Sequence, residues 1–126
     1  PSSSPMRYVD GYLLPLPKKN LAAYRKMSGA AGKIWKKHGA LQYVECVAED
    51  MHPEGIKLVF PKLMKLKPDE TAVFSFVVYK SRKHRDQVNA KVFADPFMSD
   101  SKHMDKPMPF DMKRMAFGGF EAIVDL

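Results

Sequence analysis

The segment Thr71 to Lys80, TAVFSFVVYK, constrains this chain more than any other. Its valines, phenylalanines and tyrosine favour extended backbone. In a strand, alternation sends Val73, Val77 and Tyr79 to one face and Phe74, Phe76 and Val78 to the other. Both faces are then apolar, and leaving apolar surface in water costs about 25 cal/mol per Å². This strand must therefore lie inside a sheet that is covered on both sides.

The elements around it follow from local signals. Arg7 to Leu14, RYVDGYLL, reads as a strand stopped by Pro15 and Pro17. Lys18 to His38 reads as an amphipathic helix ended by Gly39. Its apolar stripe is Leu21, Tyr24, Met27, Ala31, Ile34 and Trp35, with His38 on the same side. Leu41 to Ala48 is a second strand, and 49–67 has no clear periodicity. Pro68–Asp69–Glu70 turns into the Thr71–Lys80 strand, and Ser81 is placed to cap a helix over Arg82 to Ala94. Phe97 to Asp111 is a connection rich in Met and Pro. Lys113 to Leu126 is the last strand, with Gly118–Gly119 marking a bulge or a close backbone approach.

The order βαββαβ predicts an α+β, ferredoxin-like protomer: a four-stranded antiparallel sheet with two helices on one face. The 126 residues suit one domain, with residues 1–5 (PSSSP) a disordered tail and 6–126 the folded unit. Two helices cover only one sheet face. Because the other is also apolar, a second copy is the expected cover, giving a homodimer.

Charge and cysteine content narrow the partners. Lys and Arg number 21 against 14 Asp and Glu, a net charge of +7. Lys18, Arg25, Lys26, Lys33, Lys36 and Lys37 all fall on the outer side of the first helix, so much of the excess is a solvated face. No basic run or zinc-finger signature accompanies it, and no specific nucleic-acid partner is expected. With Cys46 alone, there is no intrachain disulfide and no cysteine zinc cluster. No apolar stretch approaches the roughly 20 residues of a membrane span, so no membrane partner is expected and the location read from the sequence is cytoplasmic.

Four phrases are more specific: RYVDGYLLPLPKKNLAAYRKM, HGALQYVECVAED, KLKPDETAVFSFVVYKSRKHRDQVNAKVFADP and MPFDMKRMAFGGFEAIVDL. Together they resemble the YbaA-like bacterial family of unknown function, in the dimeric α/β-barrel superfamily. The resemblance implies a ferredoxin-like protomer and a sheet-to-sheet homodimer forming a dimeric α/β barrel. It carries over no catalytic residue and no cofactor. The wider superfamily, which includes cofactor-free monooxygenases and isomerases, implies ligands seated between sheet and helices.

The candidate site residues come from polar groups on inward faces. On the second helix, Val88, Val92 and Phe93 build an apolar stripe that Arg85 and Asn89 complete. Asp10 sits mid-strand between Tyr8 and Tyr12, in what this topology makes a central strand; such a carboxylate is either paired or raised in pKa. Glu45 beside Tyr43 poses the same question. Trp35 and His38 lie near the end of the first helix, where the His is a base or a dipole-stabilising cap. Asp10, Tyr12, Trp35, His38, Glu45, Arg85 and Asn89 are thus the pocket candidates, with Asp10, Arg85 and Asn89 expected around one space. His52, His84 and His103 show no ligand spacing, and the late methionines (Met98, Met104, Met108, Met112, Met115) fit no copper site, so no metal or cofactor is expected. Cys46 reads as a small buried residue. Three functions stay open: a small-ligand-binding homodimer, a cofactor-independent monooxygenase or isomerase acting on an aromatic or carbonyl compound, and a non-catalytic stress or interaction module.

Overall fold

The first strand, β1 (Tyr8–Pro17), is the axis of the sheet. In the computed structural model, which describes residues 6–99 and 108–126, it pairs antiparallel with two other strands along its length. A 3-10 turn (Lys18–Asn20) leads into α1 (Leu21–Lys37), followed by β2 (Gln42–Val47) and a short α2 (Phe60–Met64). Next come β3 (Glu70–Tyr79), α3 (Arg82–Phe93), α4 (Pro96–Ser99), a 3-10 turn (Met112–Arg114) and β4 (Ala116–Glu121). The sheet order is β2-β3-β1-β4 with every pairing antiparallel. This is the ferredoxin-like arrangement. The tail at 1–5 and the candidates His103 and Met104 lie outside the described residues.

The ends of the elements have local causes. Past α1, Gly39 takes a left-handed φ of 116°. The Gly39 N–H reaches the Lys36 carbonyl and the Ala40 N–H reaches that of Trp35, the two bonds of a Schellman stop. The Ser81 side chain accepts from the His84 N–H at 3.1 Å and opens α3. The last strand is shorter than the predicted 113–126. Asp111 caps a 3-10 turn through the Lys113 N–H, and pairing ends at Glu121 because its partner Tyr8 begins β1. The Gly118–Gly119 pair stays in continuous register, without a bulge.

Register sorts the side chains by face. Tyr8, Asp10, Tyr12, Leu14 and Leu16 of β1 lie level with Tyr79, Val77, Ser75, Val73 and Thr71 of β3, under the helices. The fully buried line of α1 is Tyr24, Ser28 and Gly32; of the expected stripe, Met27, Ala31, Ile34 and Trp35 lie half-buried beside it, and Leu21 alone is exposed. Small residues are needed there because a Cβ on Gly32 would stand 2.6 Å from the Tyr43 ring. Phe93 also departs from expectation, at 65% exposed, since Val88 and Val92 already fill the contact with the sheet. Neither α1 nor α3 covers the opposite sheet face: Phe74 is 48% and Phe120 62% exposed, and only the short α2 reaches it, through Phe60. Cys46 points to this face, level with Phe74, and is exposed rather than buried.

Candidate functional site

All five tyrosines and the only tryptophan of the chain gather in the layer between sheet and helices. Most polar groups there are paired. The Tyr24 and Tyr43 hydroxyls both donate to Glu45, at 2.7 and 2.8 Å. Burial first, and the adjacent Glu45 after it, push both phenols far above their usual range, so both stay neutral and donate to Glu45. Trp35 Nε1 and the Tyr79 hydroxyl both donate to Asn89 Oδ1 at 3.2 Å. Asn89 therefore ties α1, β3 and α3 together and makes no hydrogen bond to Asp10 or Arg85, contrary to the expected trio.

His38 is drawn elsewhere. Its Nε2 lies 2.7 Å from Asp95 Oδ2, and Lys37 Nζ lies 3.1 Å from the same oxygen. Asp95 Oδ1 accepts from the Phe97 N–H and starts α4. The hydrogen bond from His38 leads the causes that lower Asp95 to about 2. His38 is thus a helix-end fastener, away from Asp10.

One carboxylate is left without partners. Asp10 is fully buried, and neither of its oxygens accepts a hydrogen bond from any protein group. Arg85 Nη1 stands 3.7 Å from Asp10 Oδ1, close enough for an ion pair but beyond a hydrogen bond. Arg85 is pulled aside: its Nε faces Asp86 at 3.2 Å, its Nη2 donates weakly to the Tyr8 hydroxyl at 3.4 Å, and its plane lies 5.1 Å above the Tyr8 ring. Burial raises the Asp10 pKa, and Arg85 offsets this only in part. Tyr12, two residues along the same face, is half-buried and donates to none of the hydrogen bonds among the described residues. Burial pushes its phenol up to about 12, with the charges of Asp10 and Glu45 adding to the rise and that of Arg85 opposing it.

The rim of this cluster is formed by β4. Gly119 lies opposite Asp10 and Phe117 opposite Tyr12, with the Phe117 ring 5.0 Å from that of Tyr12. Both β4 residues are exposed. Gly119 is obligatory because a Cβ there would meet the Tyr8 hydroxyl at 2.2 Å. Sequence reasoning missed this role of Tyr8, whose signal was its place two residues before Asp10. A separate groove of about 280 Å³ opens on the face opposite α1 and α3, among Leu13, Cys46, Ala72, Phe74, Met51 and Phe60 of α2. Among the described residues, no group of three His, Cys, Asp or Glu side chains could hold a metal ion.

Sheet order and helix placement define the class as α+β and ferredoxin-like, and a solved structure agrees. A dimeric ferredoxin-like protein from an uncultured marine organism superposes with a TM-score of 0.58, covering 96% of this chain and 99% of its own at 11% identity. The chain belongs to the family described as protein of unknown function (DUF1428), whose model matches residues 7–112. It is 42% identical over 120 residues to the protein described as uncharacterized protein YbaA from Escherichia coli K12, spanning 95% of this chain and 99% of that one. The Shigella flexneri protein of the same description matches equally.

Proposed function

We propose that this chain is a homodimeric small-ligand-binding protein. Two copies join by the sheet faces opposite α1 and α3, and each holds a small ligand between its sheet and α3. The observation that carries the ligand reading is Asp10, a fully buried carboxylate with neither oxygen hydrogen-bonded. An unsatisfied buried polar group costs about 1–3 kcal/mol, and more when charged. A fold that keeps one beside a half-buried free phenol gains by presenting it to a ligand.

Support for the dimer is the exposed apolar face, together with the description of the marine relative in fold as dimeric. The basic residues of α1 are a solvated surface, so nucleic acid binds only weakly and with strong salt dependence. No described helix is long and apolar enough to cross a membrane. The exposed thiol of Cys46 suits a reducing compartment such as the cytoplasm.

The test is a ligand screen by thermal shift on the parent and on Arg85→Met. The variant is expected to stay a folded dimer while losing ligand-induced stabilisation. A non-catalytic interaction module is the second reading, favoured by the structural hydrogen bonds that Asn89 Oδ1 and both Glu45 oxygens already accept. It wins if no ligand shifts the parent or if Arg85→Met simply unfolds.

A further inference from the structure

Resting on the ligand-binding reading above, we infer that the Asp10–Arg85–Tyr12 cluster takes a neutral carbonyl compound with an enolisable C–H, and that Asp10 accepts the carbon-bound proton. The geometry supplies each role. Asp10 offers two acceptor oxygens that no protein donor occupies. Arg85 brings a positive charge to 3.7 Å from one of them, and its Nε is buried without a hydrogen bond. Tyr12 brings a hydroxyl not committed to any protein acceptor on the same face of β1. An acceptor flanked by two donors complements a C–H donor next to a carbonyl oxygen.

The ligand's apolar part has a place as well. Tyr12 and Phe117 form an aromatic wall, and the Tyr8 side chain lies over Gly119 beside it. Gly119 and Phe117 are exposed at the β4 edge, where the Tyr8 side chain, which lies over Gly119, must move aside for a ligand to reach the buried Asp10. An aryl ketone suits that wall. Its neutrality also matters, because a second anion beside the Asp10 carboxylate is disfavoured in a buried site.

The step balances without an oxidant. The C–H bond α to the carbonyl breaks, and its proton forms an O–H bond on the Asp10 carboxylate. The electron pair moves through the carbon–carbon bond to the carbonyl oxygen, giving an enolate held by the Arg85 guanidinium and the Tyr12 hydroxyl. Return of a proton from Asp10 to carbon, at the same or a conjugated position, restores the ketone. Asp10 is then a general base, Arg85 and Tyr12 the oxyanion donors.

The probe is 2-indanone, a neutral aryl-fused ketone, with the full-length protein in D₂O and its CH₂ proton signals followed by NMR. Exchange is expected to run at least about a hundredfold faster than in buffer alone, in the range of positioned general bases. Asp10→Asn should abolish the acceleration while still binding the probe, read as chemical-shift changes in the protein, and while melting no lower than the parent. Tyr12→Phe should slow exchange without unfolding the chain. Binding without acceleration, or an Asp10→Asn variant as fast as the parent, overturns the proton-acceptor role and leaves the ligand seat standing. Absence of both binding and exchange overturns this inference; the ligand seat itself falls only if the wider screen also finds no ligand that shifts the parent.

Discussion

At the scale of single residues, two glycines in α1 make opposite predictions from the same chemistry. Replacing a helical glycine with alanine recovers roughly 1 kcal/mol of backbone entropy. At Gly29 nothing lies within 4 Å of the new Cβ, so Gly29→Ala is expected to stabilise by about 0.5–1 kcal/mol. At Gly32 the Cβ would stand 2.6 Å from the Tyr43 ring, whose hydroxyl is fixed by Glu45. Overpacking of that kind costs about 1–3 kcal/mol, so Gly32→Ala is expected to be net destabilising. Chemical denaturation of both variants checks the pair. Asp10 gives a third residue-scale test. Its folded pKa is raised above the ordinary value of 3.8, so the folded state binds the proton more tightly than the unfolded chain. Stability is therefore highest below 3.8 as far as this group is concerned. It falls as pH rises through the folded pKa, and the penalty persists at neutral pH. Arg85, Asp86, Arg82, Tyr12 and Tyr79 are the charged or titratable groups coupled to it. Asp10→Asn removes the buried charge and is expected to raise stability at pH 7 by on the order of 1 kcal/mol. A variant less stable than the parent at pH 7 contradicts the unpartnered state of Asp10.

At the scale of elements, the entry to α3 is a two-way cap sensitive to pH. Ser81 accepts from the His84 N–H, and His84 Nδ1 in turn accepts from the Lys80 N–H at 2.9 Å. An accepting Nδ1 carries no proton, and burial first, then Lys80 and Lys91, lower the His84 pKa below its ordinary 6.5. The stability it contributes is complete above 6.5 and is lost as pH falls from there through the folded value, because the unfolded chain protonates first. Ser81→Ala is expected to cost about 0.5–2 kcal/mol, and His84→Gln to flatten the pH dependence between 6.5 and that lower value. Thermal melts at stepped pH read both. The same caps explain what was legible beforehand. Ser81 and Gly39 act through their own backbone neighbours, so their roles show in the sequence. Face assignments on β3 were equally readable because alternation alone decides them. Tertiary partners were less so. The burial of Gly32 depends on where the Tyr43 ring lies, and the His38–Asp95 pair joins residues 57 apart in sequence. Asp10 and Arg85 were found from inward-facing periodicity, whereas the diversion of Asn89 to Trp35 and Tyr79 follows only from how far α3 sits along the sheet.

At the scale of the whole molecule, assembly is decided by the sheet face opposite α1 and α3. Four strands at about 4.8 Å spacing and up to ten residues long offer roughly 600 Å² per protomer before loops are counted. That approaches the ~800 Å² per partner of a standard stable interface. The 48–60 segment extends the surface with Met51 and Phe60 beside Leu13, Cys46 and Phe74. Phe74 lies level with Cys46 on β2 and Leu13 on β1, so it stands near the middle of this surface. A lysine at that position would bury an unpaired charge in the dimer while facing water in the monomer. Phe74→Lys is therefore expected to separate the protomers without unfolding them. Light scattering at micromolar concentration should give the parent about twice the 14.3 kDa chain mass and the variant a single chain. Cys46 supplies an internal reporter, because its thiol is exposed on one protomer but covered when two faces meet. Its reaction with a thiol-specific reagent should be slow in the parent and speed up in Phe74→Lys or on dilution. A parent that runs at a single chain mass, with a thiol as reactive as that of the variant, removes the sheet-to-sheet dimer.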